Sequence, residues 1–151
     1  MHLRQRICPE QFGELSDEQK INLRNWYYPN KVRLLDQYIY FNKGELCKTA
    51  YYGDYFLDNK PSELFNHFNE CETLPLLTIG QMIEFISEFS STLIITRHEA
   101  KDGIIWNPKI TLIGTTDQTY ESSNVELCDA LWEITKHILG DDKHVYENHN
   151  Q

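Results

Sequence analysis

The chain has 151 residues, of which 40% are hydrophobic and 13% aromatic, with only five prolines and seven glycines. This length fits one domain, and this composition excludes an intrinsically disordered or collagen-like chain. No stretch approaches the roughly 20 apolar residues of a membrane span, and the N-terminus lacks the apolar run of a signal peptide, so we expect a cytoplasmic protein with no membrane partner.

The net charge of −9 is unevenly distributed along the chain. Residues 1–48 carry eight Lys or Arg against six Asp or Glu, whereas residues 49–151 carry six against seventeen. Nonspecific nucleic-acid binding depends on Lys and Arg displacing counterions from phosphates, so the acidic part should repel DNA and RNA. Direct nucleic-acid binding is therefore disfavoured, with a basic patch near Arg24, Lys31 and Arg33 as the alternative. The simplest interpretation of the charges is a solvated surface.

The first predicted elements are a helix and a β-hairpin. Ser16-Asp-Glu-Gln19 has the form of a capping box, so a helix should run over 17–27 and end before Pro29, whose preceding residue avoids helical geometry. Residues 32–52 are rich in Tyr, Ile, Phe and Leu on both sides of Asn42-Lys43-Gly44, where Gly suits a turn position with positive φ. We therefore predict a hairpin at about 32–52.

The middle of the chain predicts a short helix and a longer one. Pro61 suits a first helical position and begins a brief helix that runs to Phe68. Thr78-Ile-Gly-Gln81 is a second capping box, and apolar residues follow it at helical spacing. This pattern predicts a helix over 79–90 that packs its apolar face on the core.

Strands are expected between the two later helices. The β-branched and aromatic runs within 92–113 are interrupted by Lys101-Asp102-Gly103 and by Pro108, which predicts an antiparallel meander. Strands that are grouped between helices, without regular β-α alternation, favour an α+β fold over a doubly wound sheet.

The last predicted helix has the most regular pattern. Ser123-Asn-Val-Glu126 is a third capping box, and apolar residues then line one face until Gly140, so a helix should occupy 124–139. We predict that the helices close over the hairpin and the meander in a single α+β domain of residues 1–140. The polar, aperiodic residues 141–151 should form a flexible tail.

The sequence contains none of the common catalytic or cofactor motifs. It lacks a Gly-x-Ser-x-Gly elbow, the glycine-rich phosphate loops and a His-Glu-x-x-His pair. General acid–base catalysis could use His98, Glu99 and Asp102, or the pair Asp141-Asp142, but nothing in the sequence brings these groups together. We therefore predict no catalytic residue and no cofactor.

The histidines and cysteines give a weak metal signal. His137, His144 and His149 are seven and five residues apart, which does not place two ligands on one helical turn. His67 and Cys71 are four apart, but no second pair accompanies them. The four cysteines contain no Cys-x-x-Cys pair and should be reduced, so we predict no metal site.

Aromatic residues are concentrated in the first half of the chain. Tyr and Trp are favoured at interfaces because each offers a large rigid face with a polar tip. Alternate side chains of a strand point to opposite faces, so some of these rings should be exposed. The candidate partner-binding residues are Tyr38, Tyr40, Tyr51, Tyr52 and Tyr55. Ordinary packing of the rings is the alternative.

Two segments together carry a resemblance: Leu74-Pro-Leu-Leu-Thr-Ile-Gly-Gln-Met-Ile-Glu-Phe-Ile86 and Glu126-Leu-Cys-Asp-Ala-Leu-Trp-Glu-Ile-Thr-Lys-His-Ile-Leu139. They resemble small uncharacterised phage and prophage proteins of low-GC Gram-positive bacteria. The resemblance implies an origin and no catalytic residues. It further implies a product that acts on a host protein, as an inhibitor or anti-defence factor, with an acidic face that imitates the charge of DNA.

Three functional hypotheses follow from these patterns. The first is a non-enzymatic interaction module that binds a host protein through exposed aromatic residues or an acidic face. The second is a small-ligand binder or enzyme whose site lies between the sheet and the helix at 79–90 and gathers His98, Glu99 or His67. The third is a homodimer that forms through the hairpin edge or the face of residues 128–139.

Overall fold

The computed structural model describes residues 3–28, 36–42, 45–51, 73–114 and 118–141. The chain divides into two compact units, an N-terminal unit of Cys8–Leu77 and a C-terminal unit that combines Met1–Ile7 with Thr78–Gln151. Both units contain helices and an antiparallel sheet, so the predicted α+β fold class is confirmed. The single domain over 1–140 stays a prediction. The brief helix predicted from Pro61 and most of the predicted tail lie outside the described residues.

The N-terminal unit begins with two helical segments. A short 3₁₀ helix spans Pro9–Glu14, and helix α1 spans Asp17–Tyr27, as predicted. The capping box is present, because the backbone N–H of Gln19 donates to the Ser16 hydroxyl over 3.1 Å and the Gln19 side chain accepts from the Ser16 N–H over 2.8 Å. The predicted first helix is therefore confirmed, and its beginning is encoded within four residues.

The sheet of the N-terminal unit has the order β2-β1-β3. Its strands are β1 (Gln37–Asn42), β2 (Glu45–Tyr51) and β3 (Thr73–Leu76), and β1 pairs antiparallel with both neighbours. The pairing of β1 with β2 confirms the predicted hairpin, whereas its turn residues 43–44 lie outside the description. Helix α1 packs near β3 and buries Leu23 and Tyr27, whose hydroxyl donates to Asp36 over 2.6 Å.

The C-terminal unit contains two helices and a second sheet. Its elements, in chain order, are α2 (Ile79–Phe89), β4 (Ser90–Ala100), β5 (Gly103–Leu112), β6 (Thr119–Glu121) and α3 (Leu127–Leu139). The strands form an antiparallel sheet in the order β4-β5-β6. Both helices pack on each other, and α3 also packs on β5.

Helix α2 matches its prediction. The Thr78 hydroxyl accepts from the Gln81 N–H over 3.1 Å, and the Gln81 side chain accepts from the Thr78 N–H over 2.9 Å. The N-terminal segment of the chain supports this end of the helix, because Gln5 C=O accepts from the Ile79 N–H over 2.9 Å. The buried side chains of the helix are apolar: Met82, Phe85, Ile86 and Phe89.

The predicted beginning of α3 is wrong. The helix starts at Leu127 instead of 124, and the predicted capping box from Ser123 does not form at its N-terminus. The reason is a contact distant in sequence, since the backbone of Asn124 exchanges hydrogen bonds of 2.8 and 3.0 Å with Trp106. This pairing holds Asn124 in the sheet, while its side chain accepts from the Glu126 N–H over 3.0 Å.

The predicted interruption at Pro108 is also wrong, because β5 continues through it. Proline cannot donate to the ladder on its own edge of the strand. The backbone of Pro108 is directed away from β4, toward Ser122, which follows the last residue of β6. The Pro108 C=O accepts from the Ser122 N–H over 3.2 Å. The Asn107 side chain donates to the Ser122 C=O and replaces the missing N–H. The third strand of the meander is consequently β6.

The predicted turn between β4 and β5 is confirmed. Ala100 pairs with Gly103 across the two residues Lys101 and Asp102. Gly103 has φ of +135°, a conformation that residues with a Cβ rarely adopt. The glycine therefore allows a long hairpin of an 11-residue and a 10-residue strand.

Candidate functional site

Strand β4 lies at an edge of its sheet. It pairs with β5 on one side, and no strand in the described part of the chain pairs with its other side. An edge strand presents a row of unpaired N–H and C=O groups that can accept a strand of another chain. The question is which residues of β4 present these groups.

The hydrogen bonds of β5 determine which residues of β4 present their backbone groups on the other side. Trp106, Pro108 and Leu112 direct their backbone groups away from β4, toward Asn124, Ser122 and Gln118. In an antiparallel strand, neighbouring residues direct their backbone groups to opposite sides. The residues of β5 between them therefore bond to β4, and their partners there are Thr92, Ile94, Thr96 and His98.

The backbone groups on the open edge consequently belong to the alternate residues of β4, which are Leu93, Ile95, Arg97 and Glu99. Leu93 and Ile95 are half-buried and lie on the face that carries the buried Ile110. Ile94 lies on the opposite face and is 58% exposed. The edge thus combines unpaired backbone groups with an exposed apolar side chain.

The central part of this edge lacks the usual protection. Natural edge strands are blunted by charges, prolines and bulges. The register of β4 shifts between Ser90 and Thr92, and the exposed Arg97, His98 and Glu99 occupy its far end. The stretch between these features, residues 92–96, has no charge and no proline. We call residues 92–96 the open edge segment.

Arg97 marks the end of the open edge segment. Its guanidinium carbon lies 5.9 Å from the ring centroid of Trp106, which is its partner across the two strands. A guanidinium over an indole ring is attracted by the ring quadrupole, with about 0.5–1 kcal/mol at exposed sites. This contact keeps the positive charge on the face that the helices cover.

The predicted aromatic site lies in the other unit. Tyr38 is buried in β1 and 8% exposed, which leaves little of its ring for a partner. Tyr40 belongs to β1 and Tyr51 to β2, at positions where the structure describes the strands and not the side chains. Tyr52 and Tyr55 lie outside the described residues. A partner-binding role for these residues stays a prediction.

The acid–base candidates do not converge on one point. His98 and Glu99 are both exposed and are consecutive residues of β4, so their side chains point to opposite faces of the sheet. Asp102 lies in the exposed turn that follows. Of the other pair, Asp141 is described and Asp142 is not.

The described residues contain no group of three or more His, Cys, Asp or Glu side chains that could hold a metal ion. His67, Cys71, His144 and His149 lie outside the description. His137 stacks on Tyr120, with ring centroids 3.6 Å apart and planes inclined by 8°.

Arg4 ties the start of the chain to α3. Its guanidinium donates to the Asp129 carboxylate, and its N–H donates to Glu126 over 3.4 Å. Burial lowers the pKa of Arg4, but hydrogen bonds to Cys128 and Asp129 outweigh burial and raise it above the ordinary value. Cys128 is fully buried, so its thiol is shielded from oxidants and electrophiles.

The stacked His137 predicts a pH dependence of stability. His137 is largely exposed, but the partial burial of its imidazole lowers its pKa below the ordinary value, although Asp141 opposes the shift. The folded state therefore favours the neutral ring. The free energy of unfolding has its full value above the pKa of the unfolded state, and it decreases as the pH falls from that pKa to the lower pKa of the folded state. We expect the His137→Gln variant to lose less stability than wild type between about pH 7.5 and 5.5 in urea denaturation. A Tyr120→Ala variant should raise the pKa of His137 in an NMR titration, and an unchanged pKa would contradict burial as the cause.

Comparisons with protein-family models, with curated proteins and with solved structures found no significant match to this chain. The helices within the described ranges are too short or too polar to cross a bilayer.

Sequence patterns did not single out the open edge segment. Residues 92–97 were expected to form a strand because they are β-branched, and β4 is that strand. Its apolar residues Leu93, Ile94 and Ile95 are consecutive, which is typical of a strand buried on both faces. Only the strand order reveals that one side of this strand is open.

Proposed function

We propose that this protein is a non-enzymatic interaction module that binds a host protein. A strand of the host protein pairs with the open edge of β4. Within the described part of the chain, no strand pairs with the backbone groups of Leu93 and Ile95, and the neighbouring Ile94 is 58% exposed; these two observations carry the proposal. Strand addition obtains affinity from main-chain hydrogen bonds and specificity from side chains at alternate positions.

Simple energetics support an interaction of modest affinity. A main-chain hydrogen bond contributes about 1 kcal/mol net, while association costs at least about 4 kcal/mol in lost translational and rotational freedom. Four or five bonds alone therefore give little affinity. A partner that also covers Ile94 gains about 1–2 kcal/mol more from the apolar surface removed from water.

The nature of the partner is suggested by charge and by resemblance. Residues 49–151 carry six basic against seventeen acidic side chains, which favours a basic protein surface such as that of a DNA-binding host protein. The resemblance of the segments 74–86 and 126–139 to phage proteins supports a phage product with inhibitor or anti-defence activity. In this form of the proposal, the acidic surface occupies a site that DNA would otherwise fill.

The second hypothesis, a ligand-binding or catalytic site near α2, has less support. The buried side chains of this helix are apolar, and His98 and Glu99 point to opposite faces of β4. General acid–base catalysis needs groups that converge on one substrate.

The proposal is tested by quantitative capture from a Gram-positive host lysate with three baits. Wild type and Val125→Lys should recover the same host protein, whereas Ile94→Lys should recover at least about tenfold less, because a charge at the edge opposes strand addition. Val125 is the matched control, since it is an apolar residue of the same unit that is 61% exposed and lies outside the strands. Equal recovery by all three baits would refute the role of β4. A fourth bait, Tyr40→Ala, tests the hairpin, and a loss of recovery with this bait alone would favour the hairpin instead.

A further inference from the structure

We propose that, in the free protein, the open edge of β4 pairs with the same edge of a second copy, antiparallel and about a two-fold axis at Ile94. This inference rests on the proposed function, because the same edge would receive the host strand. The second copy of this chain would compete with the host strand for that site. The pairing joins the two sheets of three strands into one continuous sheet.

The axis at Ile94 places apolar residues opposite apolar residues, and threonine opposite threonine, along the open edge segment. Leu93 of each copy faces Ile95 of the other, and both residues direct their backbone groups to the shared edge. Ile94 faces Ile94 on the exposed face, and Thr92 faces Thr96 on both sides of it. Side chains that lie directly opposite each other on two antiparallel strands are in contact, and such pairs stabilise a sheet. The self-complementary pattern is symmetric about one residue.

Neighbouring registers match less well: an axis at Leu93 would place Ile94 opposite Thr92 and Ile95 opposite Ser91, so both isoleucines would lose their apolar partners. An axis at Ile95 would place Leu93 opposite Arg97, and an axis at Thr96 would place Ile95 opposite Arg97. An axis at His98 would set the two imidazoles against each other and leave the apolar centre uncovered. The choice of register is strong because an apolar side chain that faces a charged one loses its cross-strand contact.

Charge favours the same register. Arg97 of each copy lies next to the irregular stretch between Ser90 and Thr92 of the other, close to where α2 of that copy ends at Phe89. The C-terminus of a helix carries a partial negative charge, and Glu88 adds a carboxylate there. Arg97 lies on the same face of the sheet as Trp106, the face that the helices cover. Each copy thus offers a cation to an acidic helix end of the other.

Self-pairing regulates the site. A host strand must compete with the second copy, so the apparent affinity for the host protein falls in proportion to the fraction of protein with a free edge. The pairing also covers an apolar edge that would otherwise promote aggregation.

Cysteine cross-linking tests the register. In this arrangement the two copies of Ile94 form a pair without backbone hydrogen bonds, whose Cα atoms are about 4.5 Å apart, within the range that a disulfide spans. We expect mild oxidation to convert Ile94→Cys into a covalent dimer and to leave Thr96→Cys and wild type monomeric on a non-reducing gel. A Thr96→Cys dimer without an Ile94→Cys dimer would overturn the register.

Sedimentation with a charge exchange tests the dimer itself. Over about 1 µM to 1 mM, wild type and Val125→Lys should associate, whereas Ile94→Lys and Ile94→Glu should each dissociate at least about tenfold more easily. An equimolar mixture of Ile94→Lys and Ile94→Glu should associate again, because the axis sets Lys opposite Glu. Failure of the mixture to associate, or a monomeric wild type, would overturn the proposal.

The two proposals fail in different ways. A monomeric wild type whose capture of a host protein still depends on Ile94 would refute the dimer and leave the interaction module standing. A dimer whose Ile94→Lys variant captures the host protein as well as wild type does would refute host binding at β4. A monomer in which the Leu93 and Ile95 amides resist hydrogen exchange would show that another part of the same chain covers the edge, and would refute the dimer.

Discussion

Replacement of Trp132 by alanine is expected to lower the free energy of unfolding by about 3–5 kcal/mol. Trp132 is 1% exposed in the middle of α3, the helix that packs on both α2 and β5. Truncation removes a large apolar surface from the core and leaves a cavity that its neighbours fill only in part. A domain of ordinary stability has about 5–15 kcal/mol in total, so the variant should unfold at much lower urea concentration in circular dichroism.

The adjacent residue provides the control for this measurement. Glu133 has a side chain that is 48% exposed and accepts from Lys136 over 2.7 Å, one turn along the helix. An exposed ion pair at this spacing contributes about 0.3–0.5 kcal/mol, so Glu133→Ala should change the unfolding free energy by less than about 0.5 kcal/mol. Similar losses for both variants would contradict the central position of Trp132 in the core.

A pair of proline substitutions should reveal which edge of β4 is open. The register directs the N–H of Thr96 to Asn107, whose C=O also accepts from the Thr96 hydroxyl over 3.1 Å. The N–H of Arg97 faces the open edge instead. Thr96→Pro loses two hydrogen bonds of about 1 kcal/mol each, so it should lower the unfolding free energy by about 2 kcal/mol more than Arg97→Pro does.

Arg97→Pro is the matched control, because it places the same ring one residue further along the strand. It removes the contact with Trp106 as well, and this loss works against the expected difference. If Arg97→Pro destabilises the protein more than Thr96→Pro in the same urea titration, the open groups of β4 belong to Thr92, Ile94 and Thr96.

The elements that the sequence determined are those whose signals lie within a few residues. The helices that begin after Ser16 and Thr78 were predicted because each cap is formed by a side chain and a backbone group three residues apart. The turn before Gly103 was predicted because Lys101-Asp102-Gly103 interrupts the β-branched runs, and the positive φ of Gly103 agrees with it. Such local signals were enough to predict an α+β fold.

The tertiary structure decided where distant residues compete with local signals. Asn124 satisfies a local capping pattern, but its backbone pairs with Trp106, so α3 begins later than the pattern predicted. Pro108 has the local properties of a break, but the Asn107 side chain supplies the donor that the proline lacks. In both cases a contact within the sheet replaced a local preference.

The candidate site is one of the features that only the tertiary structure decided. A strand over 92–97 was predictable from β-branched residues, but its place at an edge depends on the order β4-β5-β6 and on which backbone groups of β5 are already bonded. Conversely, Tyr38 was predicted to be available to a partner and is buried. The composition of a strand determines that it pairs, and only the packing of the other strands determines which of its two edges is left to pair with another molecule.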